Sequence, residues 1–468
     1  MVTTSDAKPT EKTDWGKYGR RPWIVLAMVA LIDSVDRGIL PGVLTKVQDD
    51  LGFSDFQAGV LGTVFVLASF LAVLPAGYLA DRYRRTRIIS VVLVSWGAIS
   101  ALNAAVQNFA QFAAVRAALG VGETVDNPAS QSLIADYYRP SLRGRAYAMQ
   151  RVAPILGTAF GTGVGGGIAA VFGWRAAFLF VGVPGSLLAV AVWRLREPGR
   201  GEHDALVEPE TVIASTTKPE REAAIAAAPA PGGAQSRGMR AMLRDARMVL
   251  DVRTLRSLIV GTAIASGALS GIGFWAPAFY ERHAGLSSGQ ASGVVAVLVL
   301  FGAIFGTILG GVLTDRLRDR LEGAPMLVAG VTQAVGAALL MVVFLDVPIA
   351  VRMIFSVFGV MLIVAGLPAL AAMTSEVVPA TIRGLAFSIT GFLTAIASAI
   401  SPLLIGFLAD QFEFMVDGET KGNLARAFMI VTPLVFVGAT VVLRGRRHVG
   451  ADTERAVEVA AEIAKSYR

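Results

Sequence analysis

The chain has 468 residues, of which 54% are hydrophobic and only 16% are charged, and it contains no cysteine. A soluble protein of this length would need more polar residues to cover its surface, so the composition indicates a protein that crosses a membrane several times. The net charge of +7 is then expected in loops beside the membrane rather than in a nucleic-acid interface.

A polar tail, residues 1–21, precedes a series of apolar runs. Each run is long enough to cross about 30 Å of hydrocarbon as an α-helix. The predicted fold is an all-α membrane protein with twelve transmembrane helices in two six-helix bundles, residues 22–196 and 254–446. The predicted helices cover residues 22–47, 56–80, 86–107, 109–137, 143–172, 174–195, 254–281, 288–314, 325–346, 348–377, 384–410 and 424–445.

Arginine is concentrated in alternate loops. It follows predicted helices 2, 4 and 8, whereas the loops at 48–55, 107–108 and 346–348 carry neither Arg nor Lys. Because cytoplasmic loops of membrane proteins are enriched in these residues, both termini are expected in the cytoplasm. The sequence thus predicts a multi-pass protein of the cell inner (plasma) membrane, with a cytoplasmic tail at 447–468.

The segment 197–253 is predicted to be a cytoplasmic linker. Residues 198–236 are rich in Ala, Pro, Glu and Thr and show no helical apolar stripe, which is typical of a flexible segment. Residues 237–256 mix Met, Leu and Val with many arginines. They predict a basic amphipathic helix on the inner leaflet. The alternative is a solvated start to helix 7.

The first predicted helix carries Asp33, Asp36 and Arg37 at its middle. Charges at that depth are costly and usually have a function or a partner. Asp33 and Arg37 are four residues apart and share one face, whereas Asp36 points elsewhere. The fourth helix adds Arg116 and Glu123, seven residues apart, and then Asp126.

These residues form the candidate site, with Arg151 of the fifth helix as a further cation. A carboxylate in a low dielectric beside arginines can take up and release a proton, a role assigned to Asp36 and Glu123. Arginine can hold a phosphate or carboxylate group. The alternative is that the charges only pair to fix helix packing. The proton-coupling set is Asp36, Arg37, Arg116 and Glu123; the substrate set is Asp33, Arg37, Arg116, Glu123, Asp126 and Arg151.

The two halves of the chain repeat two loop sequences. GYLADR at 77–82 corresponds to GVLTDR at 311–316, and DYYRPSLRG at 136–144 corresponds to EVVPATIRG at 376–384. Parallel repeats of this kind are found in transporters whose substrate site lies near the midplane between the halves.

With these loops the sequence resembles the major facilitator superfamily. The resemblance implies that Asp81 and Arg85 hold the cytoplasmic helix ends together and stabilise an outward-facing state. The candidate conformational gate comprises Gly77, Asp81, Arg82, Arg85, Asp136, Arg143, Asp315 and Arg316.

Within that superfamily, residues 30–185 resemble the Spinster family of lipid transporters. The similarity lies in DR at 36–37, PAGYLADRY at 75–83 and RAALGVGE at 116–123. It implies transport of lysophospholipids or sphingoid lipids, coupled to protons in bacterial members. Asp33 replaces the amide usual before the Asp-Arg pair, and TVD at 124–126 also departs from the family pattern, so the preferred head group is open.

The second half differs in character from the first. Its predicted helices carry no charge away from their ends but contain many phenylalanines, and a cavity with one ionisable and one apolar wall suits an amphiphile. Glycines at 157, 161, 163, 165, 166 and 167 lie inside an apolar run, where they predict close helix packing rather than a phosphate loop.

The leading hypothesis is therefore a proton-coupled transporter of amphipathic lipids that works by alternating access. The expected partners are protons, a small amphipathic substrate and membrane lipids, with no nucleic acid, and the chain is expected to be a monomer. No catalytic constellation, cofactor motif or metal-ligand cluster is present in the sequence, so an enzyme is not expected. A proton:organic-anion symporter for sugar acids, an amphiphilic drug efflux transporter and a non-transporting membrane receptor remain the alternatives.

Overall fold

A computed structural model describes residues 15–123, 126–199, 247, 249–378, 383–416 and 418–455. Within those ranges, the side chains of residues 73–82, 123, 126–128, 140–141, 144, 375, 383–384 and 416 are outside the description. The predicted linker and its amphipathic helix therefore lie almost wholly outside the described residues.

The helices before residue 200 form a first group. Their bounds differ from the predicted ones by a few residues. The predicted run 109–137 is described as α4 and α5, and residues 124–125 between them lie outside the description. The group consists of α1 (Arg21–Leu51), α2 (Asp55–Arg82), α3 (Arg85–Leu102), α4 (Phe109–Glu123), α5 (Asp126–Tyr137), α6 (Pro140–Phe172) and α7 (Trp174–Trp193).

The helices after residue 250 form a second group. A π-helical turn at Gly302–Gly306 separates α9 from α10, which the sequence predicted as one helix. A β-hairpin before α14 was not predicted. The group consists of α8 (Arg253–Ala284), α9 (Ser288–Phe301), α10 (Thr307–Arg318), α11 (Ala324–Val343), α12 (Ile349–Glu376), α13 (Arg383–Gln411), β1 (Glu413–Val416), β2 (Glu419–Gly422), α14 (Leu424–Val431) and α15 (Pro433–Gly445).

Local sequence explains several helix ends. Gly52 ends α1 and Gly285 ends α8, both at a positive φ that glycine adopts without steric cost. Ser287 and Gln290 form a reciprocal capping box at the start of α9, and the Asn423 side chain caps α14.

Ten helices in the described part of the chain are long and apolar enough to cross a membrane, judged by length and composition. The stretch Phe109–Gly122 of α4 is apolar but shorter. α1 is 31 residues long and carries three charges near its middle. The all-helical membrane fold is therefore confirmed, and the count of twelve spans stays a prediction.

Glycines bring α1 and α6 into close contact, as the sequence predicted. A Cβ atom added at Gly157 would overlap the Leu31 carbonyl oxygen, and one added at Gly161 would overlap that of Val35. Gly167 has open space instead. This packing fixes the middle of α1, where the charged residues lie.

The two groups meet through α2 against α13 and α6 against α9. We call the end of the molecule with Arg85 and Arg139 the basic end, and the opposite end, with Gly52 and Gly285, the distal end. The hydrogen bonds between the groups, among described residues, lie at the distal end or at mid-depth.

Candidate functional site

Asp36 lies at the centre of the candidate site, with none of its surface exposed. The Ser100 hydroxyl of α3 donates a hydrogen bond to Asp36 Oδ1 at 2.5 Å. Arg116 Nη1 of α4 lies 3.7 Å from Asp36 Oδ2, and the Arg116 residue is 3% exposed. Asp36 Oδ2 accepts no hydrogen bond from the residues that the structure describes. The buried carboxylate therefore has an incomplete set of donors.

Asp33 and Arg37 form a separate ion pair on the neighbouring face of α1. Arg37 Nη2 donates to Asp33 Oδ2 at 2.6 Å, and the Arg37 side chain is 45% exposed. The four-residue spacing places the two side chains one turn apart. Because Arg37 is accessible while Arg116 is buried, the two cations differ in how readily an incoming anion can reach them.

The Phe65 ring of α2 lies near both guanidinium groups. The Arg37 Cζ atom is 5.8 Å from the Phe65 ring centroid, and the Arg116 Cζ atom is 4.9 Å from it. An aromatic face attracts a cation at such distances. Sequence reasoning missed Phe65, because nothing in its local pattern distinguishes it from other apolar residues of α2.

The remaining predicted members of the site differ in placement. The side chains of Glu123 and Asp126 lie outside the described residues. Arg151 of α6 is exposed and makes no ion pair with a described residue. The structure thus brings together Asp33, Asp36, Arg37 and Arg116, but does not bring Arg151 to them.

This arrangement can perform two kinds of chemistry. A buried carboxylate with an unfilled oxygen can exist in either protonation state, because burial disfavours its charge while Arg116 favours it. The exposed Arg37 guanidinium can bind a phosphate or carboxylate in a bidentate manner. Among the described residues, no group of His, Asp or Glu side chains could hold a metal ion.

A second polar network lies at the basic end of the first group. Arg85 is buried and donates to Asp136, to Ser132 Oγ at 2.7 Å and to Glu197 Oε1 at 3.0 Å. Glu197 also accepts from the Thr86 backbone at 2.9 Å. Of the predicted gate, Arg85 and Asp136 are in direct contact, while the side chains of Asp81 and Arg82 and the surroundings of Gly77 are not described.

Glu197 was placed in the linker by sequence reasoning, yet it closes this network. Burial would raise its pKa, but hydrogen bonds from Thr86 and Arg85 outweigh burial and hold the pKa of Glu197 below its usual value. Such an acid at the start of α3 also complements the positive end of the helix dipole.

The second group has a simpler pair at its basic end. Arg318 forms an ion pair with Glu376, which corresponds to Asp136 in the repeat. The predicted gate residues Asp315 and Arg316 are exposed. In the first group, Arg143 donates to the Tyr138 carbonyl oxygen at 3.0 Å. Sequence reasoning missed Arg318 because the repeat aligns Arg316, not Arg318, with the first half.

A buried ion pair joins the two groups at the distal end. The two terminal guanidinium nitrogens of Arg282 in α8 donate to the Asp55 carboxylate of α2 at 2.7 and 2.8 Å. Arg282 also donates to Gln48 Oε1 at 3.1 Å. Asp410 of α13 accepts from the Asp55 and Phe56 backbone nitrogens at 3.1 and 2.8 Å. These residues hold the distal ends of the groups together, although the sequence offered no signal for this pairing.

An apolar cavity of about 190 Å³ lies within the second group, between α8, α9, α11, α12 and α14. Leu269, Phe279, Phe344 and Phe428 are among its lining residues. Two polar lining groups, the Tyr280 hydroxyl and Ser356 Oγ, bond to each other at 2.5 Å. The cavity can therefore accept apolar chains but offers little to a polar solute.

Comparison with known proteins identifies the family. The sequence profile of the Major Facilitator Superfamily matches residues 26–366. The chain is 32% identical over 172 residues to a probable L-galactonate transporter of Escherichia coli and 31% identical over 190 residues to protein spinster of Drosophila melanogaster. These matches cover 37% and 40% of this chain, but only 38% and 31% of the respective relatives.

Two further proteins match nearly the whole chain. An MFS-type efflux pump of Mycolicibacterium smegmatis is 28% identical over 431 residues, covering 90% of this chain and 91% of the pump. The crystal structure of a bacterial homologue of the human lysosomal transporter Spinster, inward-facing and unoccupied, covers 92% of this chain and 97% of its own. Its TM-score is 0.77 at 21% identity, so it supports the fold. The chain therefore belongs to the Major Facilitator Superfamily and resembles its Spinster transporters.

Proposed function

We propose that this protein is a proton-coupled secondary transporter of amphipathic lipids, such as lysophospholipids or sphingoid lipids. The observation that carries the proposal is the contrast between its two groups. The first group holds the ionisable cluster of Asp33, Asp36, Arg37 and Arg116, whereas the second encloses an apolar cavity among five of its helices. An amphiphile requires both kinds of wall.

The proposed architecture is twelve spans in two six-helix bundles, residues 22–196 and 254–446, in a monomer of the inner (plasma) membrane. Residues 1–21, the linker 197–253 and the tail 447–468 are then cytoplasmic. The arginines of the basic end support this orientation. In it, the ion pair between Asp55 and Arg282 closes the outer side, so the described conformation faces inward.

The proposed mechanism assigns the proton to Asp36 and Glu123. Arg116 favours the ionised form of Asp36 from 3.7 Å. Arg37, which is exposed, is the group that a phosphate or carboxylate head group reaches first, and it must then compete with Asp33. Protonation and head-group binding would thereby act on neighbouring residues of one helix and bias alternating access.

Uptake in proteoliposomes tests the proposal. We expect wild-type protein to move a lysophospholipid, faster with a proton gradient than without one. Asp36→Asn and Glu123→Gln should each remove the stimulation, whereas Asp50→Asn, which alters an exposed pair with Arg175, should keep it. Folded wild-type protein that moves no lysophospholipid under any gradient would contradict the proposed function.

Sugar-acid transport is the second candidate, since the E. coli relative is described as a probable L-galactonate transporter and a Bacillus subtilis relative as a probable galactarate/D-glucarate transporter. Such a substrate would use Arg37 and Arg116 as carboxylate binders. In the same vesicles, proton-stimulated uptake of hexonate without uptake of lysophospholipid would favour this function. Efflux of amphiphilic drugs, the third candidate, is motivated by the efflux pump that matches along 90% of this chain.

A further inference from the structure

Ser100, a residue of α3 outside every predicted set, contacts the central carboxylate directly. Within the described part of the chain it is the one side chain that donates a hydrogen bond to Asp36. A hydroxyl donates a stronger hydrogen bond to an ionised carboxylate than to a neutral group, so this contact favours the charged form of Asp36. Ser100 and Asp36 both have 0% exposure. Both groups are therefore closed off from bulk solvent in this conformation.

The Ser100 backbone is held in place by its own turn. Asn103 Nδ2 donates to the Ser100 carbonyl oxygen at 3.0 Å, and Asn103 has no exposed surface. The hydroxyl is thus presented to Asp36 by a braced helix end rather than by a mobile loop. A hydroxyl can donate to a carboxylate and can accept from a protonated carboxyl group, so the contact is compatible with both states.

Few other charges face Asp36 from the elements packed around it. Arg116 approaches from α4 at 3.7 Å, and Arg37 lies beside it on α1 but is paired with Asp33. α6 meets this part of α1 through glycines, and the single charged residue of α7, Arg175, bonds to Asp50 at the distal end. The acids of α4 and α5, Glu123 and Asp126, have side chains outside the described residues. Among the described side chains, Arg116 and Ser100 are therefore the two groups that stabilise the Asp36 charge most directly, and Ser100 is the hydrogen-bond donor of the two.

We propose that Ser100 is a positioning residue that sets the proton affinity of Asp36. It does so by stabilising the ionised carboxylate in a site closed to water. The inference rests on the proposed function, in which Asp36 is a proton-binding group. A hydrogen bond to a charged, buried group contributes more than one between neutral groups. Its removal is therefore expected to raise the proton affinity of Asp36 by about tenfold or more, which is a shift of about one pH unit.

Ser90 provides a matched control on the same helix. It is also buried, but its hydroxyl donates to the Thr86 carbonyl oxygen at 2.8 Å, within α3. If Ser100 only packs within its own helix, the alanine substitutions at positions 90 and 100 should have equal effects on the titration of Asp36. If Ser100 sets the proton affinity of Asp36, only the substitution at position 100 should change it.

Infrared spectroscopy of the full chain in lipid bilayers can measure Asp36 directly. The carbonyl stretch of a protonated carboxyl group is followed against pH, and the Asp36→Asn variant assigns the band. We expect Ser100→Ala to move the midpoint of this band to higher pH by about one unit. Ser100→Cys, with a weaker donor, should give a smaller shift in the same direction, and Ser90→Ala should give none.

An unchanged midpoint in Ser100→Ala and Ser100→Cys would overturn the inference, as would an equal shift in Ser90→Ala or the lack of any Asp36 band. If Ser100→Ala does not fold, Ser100→Cys against wild type decides the matter. Failure of the proposed function is a different result, because it appears as absent lysophospholipid transport while the Asp36 band still titrates and still responds to Ser100.

Discussion

Asp55 at the start of α2 and Arg282 near the end of α8 form an ion pair with two hydrogen bonds, and this pair joins the two groups of helices. Asp55 is 4% exposed and Arg282 is 9% exposed. Gln48 donates to Asp55 Oδ1 at 2.8 Å, and the Gly422 carbonyl oxygen accepts from Arg282 at 3.2 Å. Removing one partner of such a buried pair leaves the other charge uncompensated, which costs about 3–5 kcal/mol.

Asp55→Asn is therefore expected to open the distal end. The chain has no cysteine, so spin labels can be attached at cysteines introduced at the exposed positions Gln107 and Asp346, one in each group. Electron spin resonance should show longer label distances in Asp55→Asn than in the otherwise identical labelled protein. The control Asp50→Asn breaks an exposed pair within the first group and should leave the distances unchanged. Equal distance distributions in all three proteins would show that the pair does not hold the groups together.

Two glycines of α6 should respond oppositely to the same substitution. Gly161→Ala forces a methyl group against the Val35 carbonyl oxygen of α1 and is expected to cost about 1–3 kcal/mol. Gly167→Ala meets open space and should be neutral or stabilising by up to about 1 kcal/mol, because alanine favours the helix. Thermal unfolding of the purified protein measures both. Equal melting temperatures for the two variants would refute the tight contact between α1 and α6.

Asp33 is expected to control the charge preference of the substrate site. In Asp33→Asn, Arg37 loses the carboxylate that it contacts at 2.6 Å, so the site gains net positive charge toward an anion. An exposed ion pair contributes about 1 kcal/mol, and in the variant this energy no longer opposes anion binding. The apparent KM for an anionic lysophospholipid should therefore fall about fivefold. The KM for a zwitterionic lysophospholipid serves as the internal reference and should change little. A parallel change in both constants would point to a general effect on the fold.

Glu197 is expected to make the stability of the first group depend on pH in the acidic range. Its folded-state pKa lies below the ordinary value of 4.5, because hydrogen bonds from Thr86 and Arg85 overcome the effect of burial. The contribution of ionised Glu197 to folding stability is therefore present at pH values above the ordinary pKa. It is lost as the pH falls through the lower folded-state pKa. The melting temperature of Glu197→Gln should lie below that of wild type at pH 7, and the difference should shrink below about pH 4. Glu454→Gln, which changes an exposed acid near the end of the described chain, should follow wild type at every pH. A difference between Glu197→Gln and wild type that does not depend on pH would contradict this role of the charge.

The sequence predicted local features of the candidate site better than its pairings. Residues four apart on a helix must share a face, and Asp33 and Arg37 do form an ion pair. The same spacing directs Asp36 away from that pair. Asp36 lies beside Arg116, which the sequence placed in the same candidate set. Phe65 and Ser100 could not be found, because an apolar or small polar residue on another helix gains meaning only from the residue that it touches.

By itself, the sequence determined that this is an all-helical membrane protein of the Major Facilitator Superfamily type, that the charges inside its predicted spans concentrate in the first half, and that glycines pack α6 closely. These properties follow from hydropathy, helical periodicity and side-chain size, which act within about one turn of a helix or along one span. Only the tertiary structure decided that Asp55 pairs with Arg282, that Glu197 completes the Arg85 network and that Ser100 meets Asp36. These contacts join residues from 64 to 227 positions apart. Their partners are selected by how whole helices pack, because a buried charge must find its compensation in space rather than along the chain.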